Sequence, residues 1–295
     1  MTIETGAPVK HVLGLSGGKD SAGLAVFMKK EHPEIPVEYF FTDTGSELPE
    51  VYSYLVKLEA FLGQEIVRLN SQRGFDYWLK KYNNFLPSAQ QRWCTIKMKL
   101  WPFEEWIQPT LKAGGKIVSY VAIRSDEDRS GYRSNVPGVE VSFPLKEAGI
   151  DKLGVSKLLK DAGLDLPDYY RWRSRSGCTF CFFQQKIEWV RLREEHPDKF
   201  EEAKALEKNA LDHGSPFTWS QGESLEQLSN PERIEKIKSD YEKRLARAKA
   251  SARDKKRLNP FISDEFSDCE IDEFFEIDEL YGRSEVASSC VICHK

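Results

Sequence analysis

Residues 11–27, HVLGLSGGKDSAGLAVF, decide the reading of this chain. The apolar run ending at Leu15 reads as a buried strand, and residues 20–31 read as a helix. Between them stands Ser16-Gly17-Gly18-Lys19-Asp20-Ser21. Glycines let a backbone turn tightly and come close to a ligand. Successive amides and the positive end of the helix form an anion nest, to which Lys19 adds charge and the serines add hydroxyl donors. Phosphate is the natural guest. The string is not a Walker loop, because Asp20 follows the lysine where that loop needs Ser or Thr. Nor is it the dinucleotide pattern, since no third glycine follows at the required spacing.

Outward from this turn the first half keeps alternating. VEYFFTDT (37–44), EIVRL (65–69) and KIVSYVAI (116–123) read as strands; residues 47–63 and 99–111 read as helices. The expected fold is therefore α/β, a Rossmann-like parallel sheet with helices on both faces. Ligands of such sheets bind beyond the C-terminal ends of the strands, where loops 16–21, 42–47 and 124–129 fall. After about residue 145 the pattern changes. Residues 150–185 read as loop-rich, and 186–208 and 226–257 as helices. Residues 264–285 are rich in Asp and Glu and precede SSCVICHK. The predicted organisation is a nucleotide-binding domain over 1–185, a charged helical extension over 186–263 and an acidic tail over 264–295.

Composition narrows the function classes. Of 295 residues 40% are hydrophobic and 31% charged, and no run is long enough to span a bilayer. The N-terminal MTIETGAPVK lacks the basic-then-apolar order of a signal peptide, so a cytoplasmic protein with reduced thiols is expected. Six cysteines then point to metal or sulfur chemistry rather than disulfides. The net charge of -4 carries no global sign of nucleic-acid binding. Between Arg233 and Arg257 lie eleven Lys/Arg, but acids interrupt them, which reads as a solvated helix shielded by the tail. Residues 169–175, YYRWRSR, interleave aromatics and cations in a way that suits either a nucleic acid or a nucleotide. Trp101, Trp106 and Trp189 fall on apolar helical faces and are expected in the core.

SGGKDS resembles the pyrophosphate-binding loop of the N-type ATP pyrophosphatase superfamily. Four further segments are similar to its phosphoadenosine phosphosulfate (PAPS) reductase branch. TDTGSELPEV (42–51) matches the Asp-Thr-Gly motif, and WCTIKMKLWPFEEW (93–106) the cysteine segment. AIRSDEDRSGYR (122–133) matches the arginine segment, and PDYYRWRSRSGCTFC (167–181) the Gly-Cys-x-x-Cys segment. The resemblance implies an adenine nucleotide alpha-hydrolase-like fold. It implies that Ser16, Gly17, Gly18, Lys19, Asp20 and Ser21 hold phosphates, and that Asp43, Thr44 and Gly45 contact nucleotide or Mg²⁺. Arg124 and Arg129 would clamp anionic oxygens through forked donors, and Lys99 would meet a phosphate.

The cysteines leave two ligand sets open. Cys178, Cys181, Cys290 and Cys293 form two Cys-x-x-Cys pairs, a four-thiolate set suited to a 4Fe-4S cluster or zinc, with Cys94 free as a sulfur carrier. The iron–sulfur reductases of the branch instead suggest Cys94 together with Cys178 and Cys181, although Cys94-Thr95 stands where they carry a cysteine doublet. The activity implied is ATP pyrophosphatase chemistry in sulfur transfer: an acceptor is adenylated, pyrophosphate leaves, and sulfur displaces AMP. Catalysis would fall to Lys19, Asp20, Arg124 and Cys94. Similarity to PAPS-reductase-like proteins of bacterial DNA phosphorothioation and phage defence implies a cysteine desulfurase as sulfur donor. It also implies DNA or another nucleic acid as acceptor, and other proteins of the same system as partners. Two alternatives stand beside this: a PAPS or adenylylsulfate reductase releasing sulfite, and a non-catalytic nucleotide-sensing module.

Overall fold

In this computed structural model residues 8–128, 134–258 and 280 are described, the side chains of 251–258 left aside. Runs rich in β-branched and aromatic residues form five strands among them. These are β1 (Val9–Gly14), β2 (Val37–Thr42), β3 (Val67–Leu69), β4 (Lys116–Tyr120) and β5 (Val139–Ser142). All pair in parallel, in the order β3-β2-β1-β4-β5. Successive side chains alternate between faces. Val12, Phe40 and Ile117 pack with Phe103 and Ile107 of α5 (Trp101–Lys112). Leu13, Tyr39 and Phe41 turn to the other face, among residues of α1 (Lys19–Glu31) and α2 (Pro49–Leu62). Leu13, Leu24, Leu55 and Leu58 are fully buried there, each contributing roughly 1.5–3 kcal/mol. The α/β expectation holds. Because β1 leads outward to β2 while β4 lies on its other side, a crevice opens at the C-terminal ends of β1 and β4.

Several local expectations need correction. A fifth strand exists, and β4 ends at Tyr120 rather than continuing to 123. VEVS is a short edge strand, too brief to show a period of its own. The stretch 150–185 contains α7 (Lys152–Asp161), capped by Asp151 and packed on α1. The expected helix 186–208 is two, α8 (Lys186–Glu195) and α9 (Pro197–Asp212). Pro197 drives His196 out of helical geometry, to φ -135° and ψ 68°, and so breaks the run. Helix 226–257 resolves into α10 (Leu225–Leu228) and α11 (Pro231–Leu258). Ahead of α5 come α3 (Phe75–Lys81), a short α4 (Trp93–Thr95) and a π-helical turn, Ile96–Leu100.

That π turn overturns one core assignment: Trp101 is 41% exposed. An extra residue in a helical turn rotates everything after it by about 100°. Trp189 is fully buried as expected, and Trp106 packs against Phe40. Helices α8 to α11 contribute Trp189, Phe200, Leu225 and Ile237 to the same buried cluster as α1 and α2. Among the described residues no helix is long and apolar enough to cross a membrane.

Candidate nucleotide and thiol site

The glycine turn sits where β1 hands over to α1. Gly17 adopts φ +73°, and a Cβ there would lie 2.6 Å from Val51 Cγ1, so both conformation and space require glycine. Gly18 is hemmed in differently: a Cβ would lie 2.9 Å from Ser176 Oγ. Ser21 Oγ accepts from the Ser16 amide at 3.1 Å and donates to the Gly18 carbonyl, closing the turn on itself. No side chain caps Gly18, the N-cap of α1, among the described residues. The Lys19 amide donates to the Tyr170 hydroxyl at 3.1 Å, and Tyr169 donates to the Gly17 carbonyl at 2.8 Å. Ser176 Oγ donates to Ser16 Oγ. A segment more than 150 residues away therefore lines the turn, which local sequence reasoning missed; the paired tyrosines were its one signal.

Beside the turn lies a buried ion cluster. Lys19 Nζ is 3.0 Å from Asp20 Oδ1, and Arg124 Nη1 donates to the same oxygen at 2.9 Å. Arg124 also grips Asp126 with Nε at 2.9 Å and Nη2 at 3.1 Å, while Glu127 lies 3.7 Å away. Arg124 is fully buried, and Lys19 and Asp20 nearly so. Burial works against the charge on Arg124, but Asp126 and Asp20 outweigh it and hold the guanidinium protonated. Burial also opposes ionisation of Asp126, yet Arg124 draws its carboxyl below the usual range. Asp20 stands in the first turn of α1, which follows β1, and Arg124 in the loop after β4, so this contact joins the two sides of the crevice. Of the charged triplet, Glu127 is buried while Asp126 and Asp128 are exposed.

At the end of β2, Asp43 Oδ1 accepts from the Gly45 amide and the Tyr52 hydroxyl, both at 2.8 Å. Thr44 Oγ1 donates to Glu47 at 2.9 Å and lies 3.2 Å from Cys178 Sγ. Cys178 Sγ is itself 3.7 Å from Glu47 Oε1. Burial pushes the Cys178 thiol well up, and Glu47 adds to that. Burial and then Cys181 push Cys94 up to about 11. Lys99 pulls both thiols the other way, so the lysine expected at a phosphate stands within electrostatic reach of the thiols. Cys94, Cys178 and Cys181 thus share one region. Among the described residues, however, no three His, Cys, Asp or Glu are grouped so as to hold a metal ion. Arg129, Cys290 and Cys293 lie outside the described residues, as do Cys269 and the acidic tail.

The cationic–aromatic string is a structural brace. Arg173 is fully buried and donates to the carbonyls of Gly177 and Cys178, at 3.2 and 2.8 Å. Glu188 accepts from the Ser174 amide and hydroxyl and from the Gln185 amide. These bonds hold the Cys-x-x-Cys loop against the Thr44 turn, where the Thr179 amide donates to the Ser46 carbonyl at 2.7 Å. Next to that turn a cleft of about 710 Å³ opens, lined among others by Thr44, Gly45, Phe75, Leu79 and Phe180.

Residues 10–145, which carry the glycine turn, Asp43, Cys94 and Arg124, match the phosphoadenosine phosphosulfate reductase domain family. Two uncharacterized proteins of Methanocaldococcus jannaschii are similar to this chain. MJ0066 is 26% identical over 199 residues, 64% of this chain, and MJ0973 is 25% identical over 192 residues, 63% of this chain. The matches span only 40% and 44% of those relatives' own lengths. A crystal structure of PAPS reductase from Candida auris, a phosphate complex, aligns with 59% of this chain and 82% of its own, at 14% identity and a TM-score of 0.46.

Proposed function

We propose that the chain cleaves ATP to AMP and pyrophosphate so as to activate a nucleic-acid acceptor, DNA among the candidates, for sulfur transfer. The observation that carries this reading is the buried Lys19–Asp20–Arg124 cluster, joining the first turn of α1 to the loop after β4 beside the glycine turn. The leaving pyrophosphate rests on amides 16–21 and Lys19, and Arg124 meets charge as it develops. Two cations face three carboxylates in this cluster, so it lacks positive charge for a triphosphate. Mg²⁺ arriving with the nucleotide supplies that charge, and Asp43 is the carboxylate at the end of β2 that would hold it.

Sulfur enters as the terminal atom of a cysteine persulfide, loaded by a cysteine desulfurase. That sulfur bonds to the acceptor, and AMP departs with the electron pair of the bond it gives up. A second thiol of the Cys94, Cys178 and Cys181 group takes the remaining sulfur, freeing the thiolated acceptor and leaving a disulfide. A dithiol reductant restores the pair. No step is routed through a metal. Cys290 and Cys293 would complete an iron–sulfur or zinc set with Cys178 and Cys181, and such a centre would supply a sulfur-binding or structural role.

A second reading, reduction of a sulfonucleotide, is favoured by the family that residues 10–145 match. One pair of assays separates them. The chain is incubated with Mg²⁺-ATP and an oligonucleotide, and separately with PAPS and a dithiol reductant. Pyrophosphate with AMP is the expected result; sulfite from the second mixture alone supports reduction instead, and neither product removes both readings.

A further inference from the structure

Away from the crevice, one exposed surface combines aromatic rings with cations. Helix α3 buries Phe75 and Leu79, one turn apart, which leaves Lys80 and Lys81 exposed and Tyr77 and Trp78 half-buried, Trp78 with one edge against the core. The π turn likewise buries Met98, leaves Ile96 exposed and carries Trp101 to the surface. Rings from the two elements meet edge to face, Trp78 on Trp101 at 5.7 Å and Tyr77 on Trp78 at 5.2 Å. Cations stand over them. Lys97 Nζ is 3.0 Å from the Trp101 centroid and 5.6 Å from that of Trp78. The Arg73 guanidinium lies 4.5 Å from the Tyr77 ring and Lys81 5.8 Å from the same ring. Arg73, Lys80, Lys81 and Lys97 lie on these elements with Asp76, and Glu202 lines the cleft beside Asp76 and Lys80.

We propose that this surface binds single-stranded nucleic acid, with bases stacked on Tyr77, Trp78 and Trp101 and phosphates held by Arg73, Lys80, Lys81 and Lys97. The inference rests on the reading of the acceptor as a nucleic acid. A positive surface set with aromatic rings grips unpaired bases without regard to sequence, because every base has a face to stack; a duplex keeps those faces inside. The other two basic stretches lack this combination. Trp172 and Arg173 are buried within their own loop, and the cations of α11 alternate with acids along a helix that carries a single ring, Tyr241. Position agrees with chemistry. Asp76, Leu79 and Lys80 of α3 also wall the cleft that ends on Thr44, whose hydroxyl touches Cys178. Cys94 stands two residues ahead of the exposed Ile96. A strand lying on the patch therefore reaches the mouth of the cleft that ends on Thr44.

The test is binding of a fluorescein-labelled oligodeoxynucleotide of about 16 nucleotides to the full chain without ATP, read by anisotropy across a salt series. Single strands are expected to bind more tightly than the matching duplex. The variant Trp78→Ala/Trp101→Ala should bind about 10-fold more weakly or worse, with Trp78→Phe/Trp101→Phe restoring much of the loss. Lys80→Gln/Lys81→Gln/Lys97→Gln should lower the slope of log affinity against log salt by roughly 2. Lys243→Gln/Arg247→Gln on α11 should leave binding unchanged. Lys19→Ala should also bind normally, so failure of the ATP reading leaves this proposal standing. Circular dichroism and thermal melting confirm that the variants fold. No binding, binding undiminished in both patch variants, or loss confined to the α11 variant would overturn the assignment.

Discussion

Single residues carry the candidate nucleotide site, and two of them have no tolerated substitute. Gly17 combines a left-handed backbone with a methyl group of Val51 at 2.6 Å from any Cβ. Gly17→Ala should cost roughly 2–4 kcal/mol in urea unfolding, the sum of left-handed strain and overpacking. A variant as stable as the wild type would mean the turn has another shape. Arg124 is the other. Its removal leaves Asp20 and Glu127 buried without their guanidinium, so Arg124→Gln should lose about 3–5 kcal/mol and all pyrophosphate release. Lys19→Ala, by contrast, should abolish pyrophosphate release while the chain stays folded; surviving activity would remove the phosphate role from the turn. The turn itself was legible because its chemistry is contained in six consecutive residues. Arg173 was misread for the opposite reason. A cation in a polar loop looks the same in sequence whether it reaches for a phosphate or, as here, for the carbonyls of Gly177 and Cys178.

Between elements, the decisive link is the segment 169–188, which joins the glycine turn to the Cys-x-x-Cys loop. Glu188 of α8 is fully buried and accepts three hydrogen bonds from Ser174 and Gln185. Glu188→Gln keeps the shape but turns one acceptor into a donor facing donors. It should cost about 1–3 kcal/mol and, by loosening the loop, speed alkylation of Cys178 and Cys181 by iodoacetamide. Mass spectrometry of the labelled chain reads this directly, and unchanged labelling rates would dissociate Glu188 from the loop. In the intact protein Cys94 should alkylate slowly at pH 8, since its thiol is held near 11. Element positions were legible where periodicity was strong, as in α2 and β2. They failed at β5, at the His196–Pro197 break and at the π turn. In each of these places a local backbone event, too short to leave a period, changes which side chains face inward.

Across the whole molecule, ion pairs tie the helical extension together. Glu223 lies 2.5 Å from Lys186 of α8 and 2.7 Å from Arg233 of α11. Arg233, aided by Lys186 against the effect of burial, lowers its carboxyl to about 2. A carboxyl depressed on folding stabilises above its unfolded value of about 4.3 and loses that contribution as pH falls toward the folded value. Urea midpoints should therefore drop between pH 5 and 3, and Glu223→Gln should flatten that part of the profile; an unchanged profile would remove the link. The metal question also belongs to this scale. Iron and zinc counts on anaerobically purified variants should fall for Cys178→Ser and Cys290→Ser and hold for Cys94→Ser; loss in Cys94→Ser but not in Cys290→Ser would reverse the ligand assignment. By itself the sequence determined the parallel α/β sheet, the glycine turn between β1 and α1 and the loops that carry Asp43 and Arg124, because alternation and turn chemistry are local properties. Only the tertiary structure decided that Asp20 and Arg124 share one buried cluster, that Tyr169, Tyr170 and Ser176 close over the turn, and that the half-buried Trp78 meets the exposed Trp101 edge to face. Those contacts join residues that no window of sequence contains, and packing and hydrogen-bond satisfaction in the folded chain alone select them.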